Sequence, residues 1–399
     1  MDLIGWVIFL FALLFSVMLH ESGHFIMAKK FGMKATRYFV GFGPTIWSTQ
    51  RGETEYGIKA LPLGGFVKII GMHSLDDVDD PFDEPRSFRR QPAWQRIIVL
   101  SAGSFMHLVL AFLLIFALAV SIGIENDNTT QLGTISPCVA ANTTQLNNGT
   151  CTASDKPSPA KQAGLQVGDQ VTAFDGTPVT TWTELGNAIR RAPAGQAATL
   201  TVDRDGKTLD LHTTLASVSG RSGSYLGIAP AVVFQVANPI RAIQYAGSSF
   251  GEVIVGSAKA VASLPSSIPK LFNKKERSLT AGGQVTSVIG AAEETGDAVA
   301  ANVGWQYKVS FVLLLIASLN IFVGVFNMVP LLPLDGGHIA AIVAERIRAW
   351  YARLRGRPDP GLIDMAKLLP VSFSIFVVLM VFSLVVVAAD IVNPLNIAG

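Results

Sequence analysis

Residues 3–19 form an apolar run that leads without a break into His20-Glu21-Ser22-Gly23-His24. A run of that length is a candidate membrane helix, because in hydrocarbon the backbone must satisfy its own hydrogen bonds. On a helix, residues four apart share a face, so His20 and His24 can turn both imidazoles toward one ion while Glu21 stands beside it as a base. Two neutral nitrogen donors and a nearby carboxylate suit Zn²⁺. Taken alone, the pattern also fits a helix end with two satisfied histidines. Its depth favours function, since ionisable side chains in a bilayer are costly. A third ligand is missing locally.

Three further runs can span: residues 97–124, 309–329 and 369–389. The first run lacks a basic leader and a cleavage-like site, so it reads as a span and not as a signal peptide. Half of the 399 residues are hydrophobic and 15% are charged, against about 25% charged in soluble domains. The chain is therefore expected to be an integral protein of the lipid bilayer with soluble parts. A net charge of +2 gives no reason to expect nucleic acid. Four spans put both termini on one side.

Basic residues choose that side. Lys29, Lys30, Lys34 and Arg37 follow the first span, Arg86, Arg89, Arg90 and Arg96 precede the second, and Arg346, Arg348, Arg353, Arg355 and Arg357 follow the third. No Lys or Arg occurs between Arg96 and Lys156. The positive-inside rule then places 30–96 and 335–368 in the cytoplasm and 125–305 outside. Cys138 and Cys151 fall outside, where an oxidising compartment lets them pair. Two cysteines are too few for a cysteine zinc cluster. Asn128, Asn142 and Asn148 begin Asn-x-Thr sequons, as suits an exposed outer loop.

The expected fold is an α-helical polytopic membrane protein with four transmembrane helices and an inserted extracytoplasmic α+β domain. Its parts are 1–124, carrying the histidine motif, a cytoplasmic hairpin and the second span; 125–230, the outer domain; 231–308, an outer amphipathic segment; and 309–399, the C-terminal membrane part. Within 125–230 lie strand runs, Asp175-Gly176 and Asp205-Gly206 turns and a helical stretch at 182–189. This order resembles a PDZ domain of the kind attached to bacterial proteases, which implies capture of peptide ends or strands. Residues 242–271, interrupted by Pro265 and Pro269, read as a helix or helix pair on the membrane surface.

Between the first two spans, residues 54–71 read as a short β-hairpin reversing at Leu61-Pro62-Leu63-Gly64-Gly65. The hairpin edge, with Gly64, Gly65 and Phe66, can bind an extended peptide by strand addition; a plain connector on the membrane surface is the other reading. Residues 76–84 are acidic and read as a linker.

The third ligand is sought where the third span breaks. Asn327-Met328-Val329-Pro330-Leu331-Leu332-Pro333-Leu334-Asp335-Gly336-Gly337-His338 combines two prolines with two glycines, and a helix should unwind there. Irregular backbone at membrane depth is tolerated where it lines a site. Asp335 would complete a His₂-carboxylate zinc site; as an alternative it is a helix cap. Asn327 suits either a contact to the substrate or developing oxyanion, or a bridge between helices. His338 is a supporting candidate, whereas His73, His107 and His212 have no motif around them.

With both motifs on the page, the chain resembles the site-2 protease family of intramembrane zinc metalloproteases, and within it the bacterial regulator-of-sigma-E protease group. The resemblance implies that His20, His24 and Asp335 bind zinc, that Glu21 is the catalytic base and that Asn327 contacts substrate or transition state. It also implies a multi-pass protein of the inner membrane, with termini and PDZ-like domain outside. Its substrate would be a single-span membrane protein already trimmed outside, typically an anti-sigma factor. Two other classes stay open. A membrane zinc protease with a later Glu as third ligand is opposed by the Asp335 motif, and an inactive peptide-binding scaffold by the intact Glu21.

Overall fold

The computed structural model of the chain describes residues 3–72, 80–126, 128–140, 151–152, 155–219, 223–267, 287–300 and 304–392. His73, residues 76–79, Asn142, Asn148 and Pro269 lie outside the described residues. Two units are compact in themselves, one made of Met1–Val120 with Asn238–Ala398 and the other of Ser121–Ala237.

In the first unit, helix α1 (Leu3–Lys30) does not end with the apolar run but continues through the histidine motif to Lys29 and Lys30. At 1.5 Å per residue it is about 42 Å long, more than the roughly 30 Å hydrocarbon core, so its basic last turn can reach the interface. Helix α2 (Ala93–Ser121) is the second span. The third and fourth are α7 (Trp305–Asn327) and α9 (Leu369–Val392). Among the described residues these four are the helices long and apolar enough to cross a membrane.

Strands β1 (Ala35–Arg51) and β2 (Thr54–Ile69) pair antiparallel after α1. The tight turn joins Arg51 to Thr54 at Gly52, whose φ is +60°. The reversal expected at 61–65 is present, since residues 55–58 run along 37–40 in the same direction and residues 65–69 run against them; what differs from a plain hairpin is that a stretch of β1 lies between the two arms. Phe39 is paired with Phe66 and also with Gly57, so the first half of β1 lies between two stretches of β2. Gly41 and Gly43, both at positive φ, bend β1 and make this possible.

Helix α5 (Pro239–Ser267) covers the segment expected to be a helix or helix pair rather than a span, and it is not among the four candidate spans. It is one continuous helix, with Pro265 falling in its last turn. Its Ala246 packs with Ala111 and Ile115 of α2 and Ala317 and Ile321 of α7. Phe250 meets Phe112 edge-on at 6.0 Å. The small side chain of Ala246 lets the helix lie against the spans.

Helix α6 (Val288–Ala300) packs on the first half of α1, with Phe9 buried against Ala291 and Ala292. A Cβ at Gly5 would fall 2.6 Å from Gly296 Cα, so only glycine allows this approach. Its N-terminus is tied to α9, because the Ser287 N–H donates to buried Asp390 Oδ2 at 2.7 Å. Helix α8 (Asp335–Leu354) follows the break after α7.

The second unit is built on a four-stranded sheet of order β6-β5-β7-β8. These strands are β5 (Gln170–Phe174), β6 (Thr177–Pro178), β7 (Ala197–Arg204) and β8 (Lys207–Thr214). Asp175-Gly176 and Asp205-Gly206 all have positive φ, as their tight turns require. A short helix α3 (Pro159–Gln162) precedes the sheet, and α4 (Trp182–Arg191) begins in a capping box of Thr181 and Glu184. Leu165, Val171, Phe174, Leu185, Leu200 and Leu215 fill the core. Two strand pairs complete the unit: β3 (Ile124–Asn126) with β10 (Val233–Gln235), and β4 (Leu132–Ile135) with β9 (Ile228–Pro230). Cys138 and Cys151 form a disulfide, with Cα atoms 6.0 Å apart. His212 lies in β8, its Nδ1 3.0 Å from Thr199 Oγ1.

Candidate metal centre

Spacing on α1 puts His20 and His24 on one buried face, their Nε2 atoms 3.0 Å apart. Asp335 is the first residue of α8, where a carboxylate also suits the positive helix end. Its Oδ2 lies 3.4 Å from His20 Nε2 and 3.5 Å from His24 Nε2. The break at 328–334 makes this meeting possible. A Cβ at Gly336 would fall 2.3 Å from Met328 O, and one at Gly337 2.6 Å from Leu331 C. Both glycines let the start of α8 fold tightly against its own lead-in.

The donor set fits zinc. The His24 Nδ1 lies 2.8 Å from the Val99 carbonyl, which can only accept, so Nδ1 carries the hydrogen and Nε2 keeps its lone pair. Asp335 Oδ2 is buried and makes no hydrogen bond among the described residues. Tetrahedral zinc with bonds of about 2.0–2.1 Å separates its ligand atoms by about 3.3 Å, close to the spacings found here. Three protein ligands leave a fourth position for water or substrate, the catalytic pattern and not the closed structural one.

Glu21 stands next to this cluster, its Oε2 accepting from Val67 N at 3.1 Å. Gly65 lies beside Glu21, where a Cβ would be in ordinary contact with Glu21 Cγ at 3.5 Å, and is packed more tightly against the paired strand, where it would fall 3.0 Å from Phe39 O. Gly64 has φ +137°, in the region that favours glycine. Phe66 stacks on Phe39 and Phe42, with centroids 5.6 and 6.1 Å apart. Asn327 is half-buried at the last turn of α7 and makes no side-chain hydrogen bond among the described residues. His338 lies one turn beyond Asp335, beside a cavity of about 210 Å³ that Arg96 and Glu345 also line.

Two residues of the site carry no motif. Gly103 of α2 faces the histidines, and a Cβ there would fall 2.4 Å from His24 Nε2. His107, which has no motif around it and reads from sequence as an ordinary surface or packing residue, is 3% exposed and lies against His20 with ring centroids 4.9 Å apart. The one available signal was their i,i+4 spacing on α2, which places both on the face that meets α1.

Four spans carrying a His₂-carboxylate cluster beside a glutamate are the architecture of a membrane-embedded zinc metalloprotease. The chain belongs to peptidase family M50, the site-2 proteases, whose family model matches residues 8–357. It is 37% identical over 412 residues to the zinc metalloprotease Rip1 of Mycobacterium bovis, covering 98% of each chain. With Rip1 of Mycolicibacterium smegmatis the identity is 38% over 416 residues, covering 99% of this chain and 98% of the relative. A putative zinc metalloprotease of Fusobacterium nucleatum is 28% identical over 332 residues, covering 83% of this chain and 85% of that one. A PDZ domain of an SdrC-like protein from Listeria monocytogenes aligns at 16% identity and a TM-score of 0.18, covering 28% of this chain and 92% of that one. The protein is a zinc-dependent membrane protease of the kind that acts in regulated intramembrane proteolysis.

Proposed function

We propose that this protease hydrolyses a peptide bond within or near the transmembrane helix of a single-span protein, an anti-sigma factor trimmed beforehand on the outer side. The observation that carries the reading is the position of Glu21, between the converged His20, His24 and Asp335 donors and the β2 strand. His20, His24 and Asp335 hold the zinc. When bound, the ion acidifies a water and polarises the peptide carbonyl. Glu21 takes the proton of the attacking water and passes it to the leaving amine. The Val67 N–H holds one carboxylate oxygen, leaving the other to turn toward the reacting atoms.

A helical substrate hides its carbonyls in its own hydrogen bonds and must first be unwound. Residues 65–69 pair with β1 on one side, while Val67 N–H points the other way, at Glu21. An extended substrate segment laid along that side would present its carbonyls to the site, with Gly64, Gly65 and Phe66 as the contacting stretch. Asn327, at the end of α7, contacts the substrate strand or the developing oxyanion. The distribution of Lys and Arg supports a cytoplasmic hairpin, with termini and PDZ-like unit outside in the inner membrane; the disulfide supports the same placement. There the PDZ-like unit recruits or screens substrates.

The test is cleavage of a single-span model substrate in membranes by wild type and Glu21→Ala, at matched expression and zinc content. Cleavage that needs Glu21 and maps within the span is expected. Equal cleavage by both proteins would overturn the assignment.

A further inference from the structure

One helical turn from the ligand cluster, three polar side chains from three spans meet: Ser16 of α1, His107 of α2 and Asn320 of α7. Ser16 precedes His20 by four residues and His107 follows Gly103 by four, so both lie on the faces that carry the site. Their exposures are 4%, 3% and 1%, which marks them as groups withdrawn from water and lipid alike.

The hydrogen bonds fix one arrangement. Asn320 Nδ2 donates to the Ile316 carbonyl at 2.8 Å, turning Oδ1 toward the other two groups. That oxygen can only accept, so the Ser16 hydroxyl donates to it. His107 Nδ1, 2.8 Å away, must then carry a hydrogen and donate as well. The one Nδ1–H of His107 is thereby shared between two acceptors, Asn320 Oδ1 and Ser16 Oγ, the latter 3.0 Å away.

What the held ring touches is a proposed ligand. The His107 and His20 ring centroids are 4.9 Å apart, with the planes tilted by 40°. His24 needs no such support, since its Nδ1 is fixed by the Val99 carbonyl at 2.8 Å. His20 Nδ1 is buried and makes no hydrogen bond among the described residues. Ligating histidines are ordinarily oriented through their second nitrogen. Here a neighbouring ring takes that part for His20.

We propose that His107 is the positioning residue of the metal centre. Clamped by Asn320 and Ser16, it braces the His20 imidazole and keeps α1, α2 and α7 in the register that brings both histidines to Asp335. Buried polar groups between membrane helices can also serve as plain packing contacts, and the test must separate the two roles. The inference rests on the reading of His20, His24 and Asp335 as zinc ligands.

The experiment uses the full chain in lipid nanodiscs. Zinc retained against a graded chelator, the visible spectrum of the cobalt-loaded protein and the thermal midpoint of the metal-free protein are measured for wild type, Asp335→Ala, His107→Phe and Ser16→Ala. Asp335→Ala should lose the metal; if it retains zinc like wild type, the ligand reading beneath fails. With that control in place, His107→Phe should release zinc about 10–100-fold more easily and alter the cobalt bands, at an unchanged metal-free midpoint. Wild-type retention and bands overturn the proposal, and so does a zinc loss that only follows a fall in the metal-free midpoint. If His107→Phe does not accumulate, Ser16→Ala decides: a roughly threefold or greater loss of retention supports the brace, and none overturns it.

Discussion

Gly103 stands so near His24 that a Cβ on it would lie 2.4 Å from His24 Nε2 and 2.6 Å from His20 Cε1. The missing side chain is what allows α2 to close over the two imidazoles. A Cβ at Gly23 would likewise fall 2.4 Å from the Ala102 carbonyl, so α1 and α2 touch backbone to backbone beside the site.

Gly103→Ala is therefore expected to push the imidazoles off their converging geometry. Zinc affinity should fall by about 10–100-fold or more, as when other groups that orient ligands are changed. Zinc content of the purified protein, at matched accumulation in membranes, measures this. Full zinc occupancy in Gly103→Ala would mean that α2 can retreat from α1 at little cost.

Arg96 and Glu345 form a second link, between α2 and α8, the helix that begins with Asp335. Arg96 Nη1 lies 2.8 Å from Glu345 Oε2, and both residues are buried. Glu345 Oε1 also accepts from Ile363 N at 3.0 Å, and the guanidinium sits 5.3 Å from the Phe88 ring centroid. Arg96→Met leaves a buried carboxylate unpaired and is expected to destabilise by about 3–5 kcal/mol. Glu345→Gln, added to it, removes the orphan charge while keeping an acceptor for Ile363, and should recover most of the loss. Thermal unfolding of the single and double variants in one detergent reads this; equal instability of the two would show that the charge is not the cause.

The contrast between these residues and the motif residues explains what could be read in advance. Spans are local, because a run of apolar side chains declares itself without reference to the rest of the chain. The His20–His24 pair is local too, set by the helical repeat, and Asp335 was reached through prolines and glycines that break a helix at a stated depth. Gly103 looks like any small residue of a membrane helix until α2 is placed on α1. His107 has no motif, and its meaning lies in Ser16 and Asn320, 91 and 213 residues away. The reversal near residues 61–65 is local and legible, but the stretch of β1 between its two arms is not: the partners of Phe39 lie on two separate stretches, and pairing on both sides leaves no mark in the alternation of either. The packing of α5 on α2 and α7 is not legible either, because amphipathicity shows one apolar face without saying whether lipid or protein covers it.

The disulfide gives a prediction for the second unit. Cys138 and Cys151 are 13 residues apart, and closing a loop of that size is worth about 3 kcal/mol in the chain-entropy account. Replacing both by alanine, or adding reductant, should lower the unfolding midpoint of this unit while the zinc content stays unchanged. An unaltered midpoint would mean that the neighbouring segment is equally constrained without the bond.

Acid should loosen the hairpin through Glu53. Its carboxylate accepts from Arg86 Nη2 at 2.9 Å and from Lys29 Nζ at 2.6 Å, tying the β1–β2 turn to the end of α1 and to the segment before α2. The hydrogen bond from Arg86, then that from Lys29, lower its pKa from 4.5 to about 2, with partial burial opposing them. A carboxylate whose folded pKa is depressed contributes stability that is fully present above the unfolded value. That contribution is lost as pH falls from about 4.5 toward about 2. Hydrogen exchange across residues 35–69, taken relative to the intrinsic amide rate at each pH, should therefore accelerate between pH 5 and pH 3 by more in wild type than in Glu53→Gln, where no charge remains to be titrated. The same acceleration in both proteins would assign the acid response to other carboxylates and leave the Lys29–Glu53–Arg86 link without a measurable part in holding the strand beside Glu21.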